Sequence, residues 1–336
     1  MEPIEPLEPS PEADSIGPQQ VDAAVSVARR IGENIQRAVK VRDEILETVI
    51  VSLLAEGHIL VEDYPGVGKT ALARALARSI DCAFARVQCT ADLLPTDIVG
   101  ANVYNQREGR FEFRPGPIFA NVVIVDEVNR ASPKTQSGLL ECMQERHVTV
   151  DATSHELARP FLVFATQNPV EYEGTYPLPE AQLDRFLLKV VLPIPGRPDE
   201  LEILRRHAAG FDPRDVRAAG VTAVAGPADV AAGQAAVRTV QVTDEVVGYI
   251  VDIARATRES PSLSLGVSPR GATALLRSAR AWAWLTGRDF VTPDDVKALA
   301  HATLVHRLGL RPEAELEGVD VAEVLASALG SVPVPR

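Results

Sequence analysis

The residues Asp63-Tyr64-Pro65-Gly66-Val67-Gly68-Lys69-Thr70 join a short apolar run to an alanine-rich helical pattern. Glycines let backbone N–H groups turn inward around an anion, and a helix that starts there adds the positive end of its dipole. The spacing reads as a phosphate-binding loop of the G-x-x-x-x-G-K-[ST] type, with Lys69 reaching the outer phosphates and the Thr70 hydroxyl on Mg²⁺. The cradle is expected to run from Pro65 through Gly66, Val67, Gly68, Lys69 and Thr70 to Ala71. Asp63 stands where the first glycine of the pattern belongs, while Gly66, Gly68, Lys69 and Thr70 are retained.

A second constellation is Asp126-Glu127, which ends the apolar run Asn121-Val-Val-Ile-Val-Asp126. A carboxylate at the carboxyl end of such a strand sits at the ligand-binding edge of an α/β sheet. Asp126 is expected to hold the Mg²⁺ shell, usually through water, because magnesium sheds water reluctantly. Glu127 is expected to polarise an attacking water. Standing alone, the two acids would read as an ordinary solvated pair; a phosphate loop upstream changes that reading.

Other reactive residues suggest less. Cys82, Cys89 and Cys142 are odd in number and lack C-x-x-C spacing, which argues against a zinc site or a disulfide framework and fits a reducing cytoplasm. His301 and His306 are five apart, so they share a helix face poorly. Trp282 and Trp284 read as packing residues, and no Asn-Lys-x-Asp guanine signature is present. Net charge is −12, which disfavours non-specific binding to nucleic acid in the absence of a local basic strip. No apolar run approaches the roughly 20 residues that span a bilayer, and the N-terminus is acidic where a signal peptide needs positive charge.

These groups need a scaffold. Residues 1–20 carry five prolines, five acids and no basic residue, the composition of a disordered acidic tail. From Val21 to about Leu54 the pattern is helical, with Ile45, Val49 and Leu53 on one face. Strands are expected at His58–Val61, Phe84–Val87, Asn121–Asp126, Pro160–Thr166 and Phe186–Leu192, alternating with helices. That alternation implies a parallel five-stranded sheet with helices on both faces, an αβα sandwich. Pro193, Pro195, Gly196 and Pro198 mark a boundary, so an α/β nucleotide-binding domain is expected over 21–196 and an all-α lid over 197–336. Helix starts are visible at Thr243-Asp244-Glu245, Ser268-Pro269 and Thr292-Pro293.

The ordered motifs carry a more specific signal. The phosphate loop is followed by Ile-Val-Asp-Glu-Val-Asn-Arg-Ala (124–131), Phe-Ala-Thr-Gln-Asn-Pro (164–169) and Leu-Pro-Glu-Ala-Gln-Leu-Asp-Arg-Phe (178–186). Gly-Val-Ser-Pro-Arg (266–270) and Val-Thr-Pro-Asp-Asp-Val (291–296) come later. Over about residues 30–308 the chain resembles the MoxR family of AAA+ ATPases.

The resemblance implies further roles. Asn168 resembles sensor 1, which orients the water together with Glu127. Arg185 resembles the arginine finger presented to the nucleotide of a neighbouring subunit, where it stabilises charge on the transferring phosphoryl group. Arg270 resembles sensor 2, reaching the nucleotide of its own subunit. Leu93–Phe119 resembles the helix-2 insert of this branch, and residues 148–160 resemble the hairpin ahead of sensor 1. Val41-Arg42 stand where the family commonly carries Gly-Gln near the adenine, so base recognition is left unassigned. The implied activity is hydrolysis of ATP with Mg²⁺ by a hexameric ring. Its output would be chaperone-like remodelling or assembly of a client protein, often with partners bearing von Willebrand A domains. A magnesium-chelatase-like subunit, a nucleic-acid-associated motor and a non-hydrolysing scaffold are the competing readings.

Overall fold

A computed structural model of the chain describes residues 18–63, 66–167 and 174–335. The tail expected over residues 1–20 lies outside the described residues as far as 17, and its last three positions belong to the first helix, α1 (Pro18–Gln36). The five expected strands are present: β1 (Ile59–Asp63), β2 (Phe84–Gln88), β3 (Val122–Asp126), β4 (Leu162–Gln167) and β5 (Leu188–Leu192). They form one parallel sheet in the order β2-β3-β4-β1-β5. The fifth strand starts two residues later than the sequence pattern indicates, with Phe186 and Leu187 as a buried lead-in.

The unbroken apolar runs have the expected cause. Along β1, Ile59 and Val61 join the core on one face while Leu60 joins that on the other. In β3, Val122 and Ile124 alternate with Val123 and Val125 in the same way, and in β4 Leu162 and Phe164 alternate with Val163 and Ala165. Side chains of a strand point to opposite faces in turn, so a sheet covered on both faces has no polar positions to spare.

Helices α1 and α3 (Lys69–Ser79) cover one face, and α4 (Pro133–Glu145) covers the other. Between α1 and α3 comes α2 (Asp43–Leu54), whose expected face of Ile45, Val49 and Leu53 packs towards the sheet. Its opposite side is buried as well: Ile50, Val51 and Leu54 enter the core of the C-terminal helices. One amphipathic stripe was visible in sequence, but the helix is sandwiched between two layers.

Past residue 196 come α5 (Arg197–Ala208), α6 (Pro227–Thr239), α7 (Asp244–Glu259), α8 (Pro269–Leu285), α9 (Pro293–Leu304) and α10 (Val321–Ser331). The chain does not leave the α/β layer at once. Val216, Val221 and Ala225 pack with α1 and α3, and Asn34 ties Ser79 to the Thr222 carbonyl at 2.8 and 2.7 Å. The helical layer proper centres on α7–α9, with Ile253, Ala279, Trp284, Val296 and Leu304 almost fully buried. The three helix starts read from sequence are capped as their residue types require. Thr243, Ser268 and Thr292 accept hydrogen bonds from Val246, Gly271 and Asp295 N–H, each three residues on.

Two antiparallel hairpins stand apart from the sheet, Gly100–Asn105 with Arg110–Pro115 and His147–Val150 with Thr153–Glu156. They occupy the two segments read as inserts. Gly100 closes the first at φ +92°, where an added Cβ would fall 2.2 Å from the Arg114 carbonyl oxygen, so only glycine fits. The hairpins are joined: Asn102 Nδ2 donates to Asp151 Oδ2 at 2.7 Å, and the Phe113 ring stacks on His155 at 3.9 Å.

Candidate functional site

The phosphate loop leaves β1 at Asp63, which is the last strand residue and pairs with Leu192 of β5. Its departure from the glycine pattern therefore falls in a strand rather than in the turn. Gly66 and Gly68 take φ of +88° and +91°, a left-handed conformation that glycine adopts without a Cβ penalty. Gly68 is the cap residue of α3, so Lys69, Thr70 and Ala71 form the first turn of a helix whose N–H groups and dipole face an incoming anion. Pro65 lies outside the described residues.

Lys69 Nζ points to the end of β3, 3.7 Å from Asp126 Oδ1. Asp126 is 1% exposed, and its other oxygen accepts a 2.7 Å hydrogen bond from Arg86 Nε on β2. The buried hydroxyl of Thr166, on the intervening β4, lies 3.5 Å from Lys69 Nζ and 3.4 Å from Asp126 Oδ1. It also accepts the Glu127 backbone N–H at 3.0 Å. Glu127 itself is in the left-handed region at φ +56°, and its carboxylate accepts from Arg130 Nη1 at 3.0 Å. A bulky residue at positive φ is uncommon and costs energy, so its retention at the strand tip marks a constrained turn. The sequence reading missed Thr166 and Arg86. For Thr166 the signal was a polar side chain inside a strand buried on its two faces, where a partner is obligatory; Arg86 sits half exposed on the edge strand β2 and carried no such signal.

Oxygen donors from Thr70 and Asp126 suit Mg²⁺, which is commonly held by one or two carboxylates together with waters and substrate phosphates. Among the described residues there is no cluster of three or more His, Cys, Asp or Glu side chains, the kind of cage a dedicated protein metal site needs. Beside the loop opens a cleft of about 610 Å³ lined by Lys40, Val41, Arg42, Val67, Leu192 and Ile194. Val41-Arg42 thus lie next to the phosphate loop, at the place where the resemblance put a different dipeptide.

Asn168 lies outside the described residues, one position past the end of β4. Arg185 and Arg270 are placed together, but not here. They line a separate pocket of about 200 Å³ with Gly57, His58, Arg146, Asp184, Arg277 and Arg307. Gly57 and His58 precede β1, and Leu187, also on its wall, precedes β5. The pocket therefore sits at the amino end of the strands whose carboxyl ends carry the phosphate loop, roughly 15 Å away along a five-residue strand. Helix α8, which carries Arg270 in its first turn, starts beside Arg185, at the far end of the sheet from Lys69.

The pocket is strongly cationic. Glu56, at φ +54°, accepts from both Arg146 and Arg238, while Arg277 donates to the Ala55 and Glu56 carbonyls. The Arg146 and Arg238 contacts overcome burial and hold the Glu56 carboxyl below its usual range. Arg185 has a buried Nε with no hydrogen-bond partner. Arg270 is exposed at the rim.

Residues 58–188 match the family described as "ATPase family associated with various cellular activities (AAA)", and residues 255–328 match the AAA lid domain. The chain is 48% identical to the Bacillus subtilis protein YeaC over 303 residues, covering 90% of this chain and 93% of that one. It is 37% identical to "Chaperone MoxR1" of Mycobacterium tuberculosis, covering 98% and 88%, and 34% identical to "Protein MoxR" of Paracoccus denitrificans, covering 86% and 91%. A solved protein of Cytophaga hutchinsonii superposes with a TM-score of 0.87 at 36% identity, over 95% of this chain and 98% of that one.

Proposed function

The chain belongs to the MoxR family of AAA+ ATPases, and from that premise we propose that it hydrolyses ATP at sites shared between the subunits of a homo-oligomeric, hexameric ring. The observation that carries this reading is the separation of two groups along one strand. Lys69 and Asp126 stand at the carboxyl end of the sheet, and Arg185 with Arg270 at the amino end. A side chain cannot span that length, so an arginine that meets the transferring phosphoryl group must come from another copy.

In this reading the N–H groups from Gly66 to Ala71 and the Lys69 ammonium bind the phosphates of ATP. Thr70 and Asp126 hold Mg²⁺, which when bound neutralises charge on the phosphate oxygens. Glu127, fixed at the tip of β3, takes the proton of the attacking water. Asn168, the next residue in sequence after β4, is assigned the orienting of that water with Glu127. Arg185 and Arg270 from the neighbour stabilise the charge that builds on the γ-phosphate. The cleft beside Val41 and Val67 receives the base.

The work done with this energy is remodelling or assembly of a client protein in the cytoplasm. The name "Chaperone MoxR1" of one relative supports it, as do the exposed aromatic side chains Tyr104 and Phe111 on the first hairpin. Among the described residues no helix is long and apolar enough to cross a membrane. A partner with a von Willebrand A domain is part of the same reading.

Mixing two inactive proteins tests the shared site. Arg185→Ala keeps a sound phosphate loop, and Lys69→Ala keeps a sound arginine. Rings containing both, verified with two affinity tags, should recover part of the ATPase rate. Mixed rings that stay inactive would remove the assignment of Arg185.

A further inference from the structure

Arg185 and Arg270 belong to different layers, the α/β sheet and the helical lid, yet they line one pocket. Three of the contacts that join the two layers beside them converge on Asp184. Its Oδ2 accepts from the Ser268 hydroxyl at 3.0 Å, and its Oδ1 accepts from Arg307 Nη1 at 3.0 Å. Its backbone carbonyl accepts from the same Nη1 at 3.3 Å. Asp184 immediately precedes Arg185, and Ser268 is the cap residue of α8, two positions before Arg270.

Arg307 extends the bond network. It is 4% exposed, and its other nitrogens donate to the carbonyls of Phe186 at 2.5 Å and Thr303 at 2.9 Å. The Phe186 carbonyl is also met by His306 Nε2 at 3.1 Å. The fit around the guanidinium is close. Gly271 on α8 has no side chain, and a Cβ there would fall 3.0 Å from Arg307 Cδ. A buried arginine that satisfies a carboxylate and three carbonyls fixes its surroundings, because each bond has a set direction and loss of any leaves a buried polar group unpaired.

We propose that Asp184, held by Ser268 and Arg307, is a positioning residue that locks the Arg185 turn to the start of the lid helix, so that Arg185 and Arg270 are presented to a neighbouring subunit as one rigid pair. The proposal rests on the shared-site reading above. Asp184 touches no phosphate in this arrangement; it acts through the two arginines. A lid that rotates must therefore carry the Arg185 turn with it or break the Asp184 bonds.

The test is a complementation matrix of full-length chains with confirmed mixed rings. Asp184→Asn alone should bind ATP as wild type does and lose about 10²-fold in turnover, the loss expected when a catalytic group is displaced by about 1 Å. Mixed with Lys69→Ala, it should recover activity, because its own phosphate loop is sound. Mixed with Arg185→Ala, it should not recover, because neither subunit then presents a correct arginine. Recovery in that second mixture would overturn the proposal, since Asp184 would then serve its own pocket. A wild-type rate for Asp184→Asn alone would overturn it too. The control mixture of Arg185→Ala with Lys69→Ala separates the two ideas: if it stays inactive, the shared site falls and this proposal with it. If Asp184→Asn fails to fold, Ser268→Ala, which removes a single hydrogen bond, enters the same matrix with the same pattern expected and the same recoveries counted against it.

Discussion

Lys69 and Asp126 face each other across a strand to which neither belongs: β4 lies between β1 and β3, and its Thr166 hydroxyl sits within 3.5 Å of both side chains. Three successive strand tips therefore contribute one group each. The lysine comes from the loop after β1, the hydroxyl from β4 and the carboxylate from β3. Parallel strands end on the same edge of a sheet, which is why such an edge collects polar groups from distant parts of the sequence.

Thr166→Val should lower turnover more than ATP affinity. Valine keeps the shape but leaves the Glu127 N–H without its acceptor, at a cost of about 1–3 kcal/mol that falls on the strained turn. Thr166→Ser should behave nearly as wild type. Steady-state rates and nucleotide titration on both variants decide this; equal effects of valine and serine would remove the hydroxyl from the argument.

Lys69→Ala should abolish tight ATP binding. The ammonium is a charge-assisted donor to the phosphates, and its loss is worth about 2–3 kcal/mol, or roughly 30–150-fold in affinity. Titration with a labelled nucleotide measures it, and an unchanged dissociation constant would show that the loop is not the binding site.

Glu127→Gln should bind ATP normally and hydrolyse it about 10²–10⁴-fold more slowly, since glutamine keeps the size of the side chain without its basicity. Single-turnover hydrolysis with saturating Mg²⁺ is the measurement. A rate within about twofold of wild type would reassign the base, taking the general-base contribution at its usual size.

The fold should lose stability in mild acid, in part through His58. That ring is fully enclosed, with Nε2 against the Met143 carbonyl at 2.9 Å and Nδ1 accepting the Val163 N–H at 3.1 Å. Burial lowers its pKa to about 4. The unfolded chain takes up a proton near its ordinary value of about 6.5, whereas the folded chain resists until about pH 4. The contribution of His58 is therefore complete above about pH 6.5 and is lost as the pH falls to about 4, a change of about 3 kcal/mol. His306 is lowered by burial as well and acts in the same direction. His58→Gln should be less stable at pH 7.5 and show a shallower fall in urea midpoint between pH 7.5 and 5. Parallel curves for the two proteins would refute the role of His58.

Much of the nucleotide edge was legible because its residue types have few other uses. A Gly-Val-Gly-Lys-Thr turn between an apolar run and a helix leaves little freedom, and an acid pair closing a strand buried on both faces demands a partner. Thr166 and Arg86 escaped because a hydroxyl or a guanidinium within a strand is read locally, while their partners lie 40 residues away on other strands. The place of Arg270 in the fold was not legible for a related reason. Its cap, Ser268, announces where α8 begins, but only the bonds from Ser268 and Arg307 to Asp184 fix which end of the sheet that helix meets. The stripe on α2 was half read, since periodicity shows one buried face and is silent when a second layer covers the other side.

A two-stranded hairpin in water holds its shape poorly by itself. Here the Asn102–Asp151 bond and the Phe113–His155 stack turn two such arms into one braced frame, rooted in the core through Val148, Leu157 and Phe161. Tyr104 and Phe111, edge to face at 5.3 Å, ride on the outer end of that frame. A load on those rings would therefore be carried by four strands rather than two.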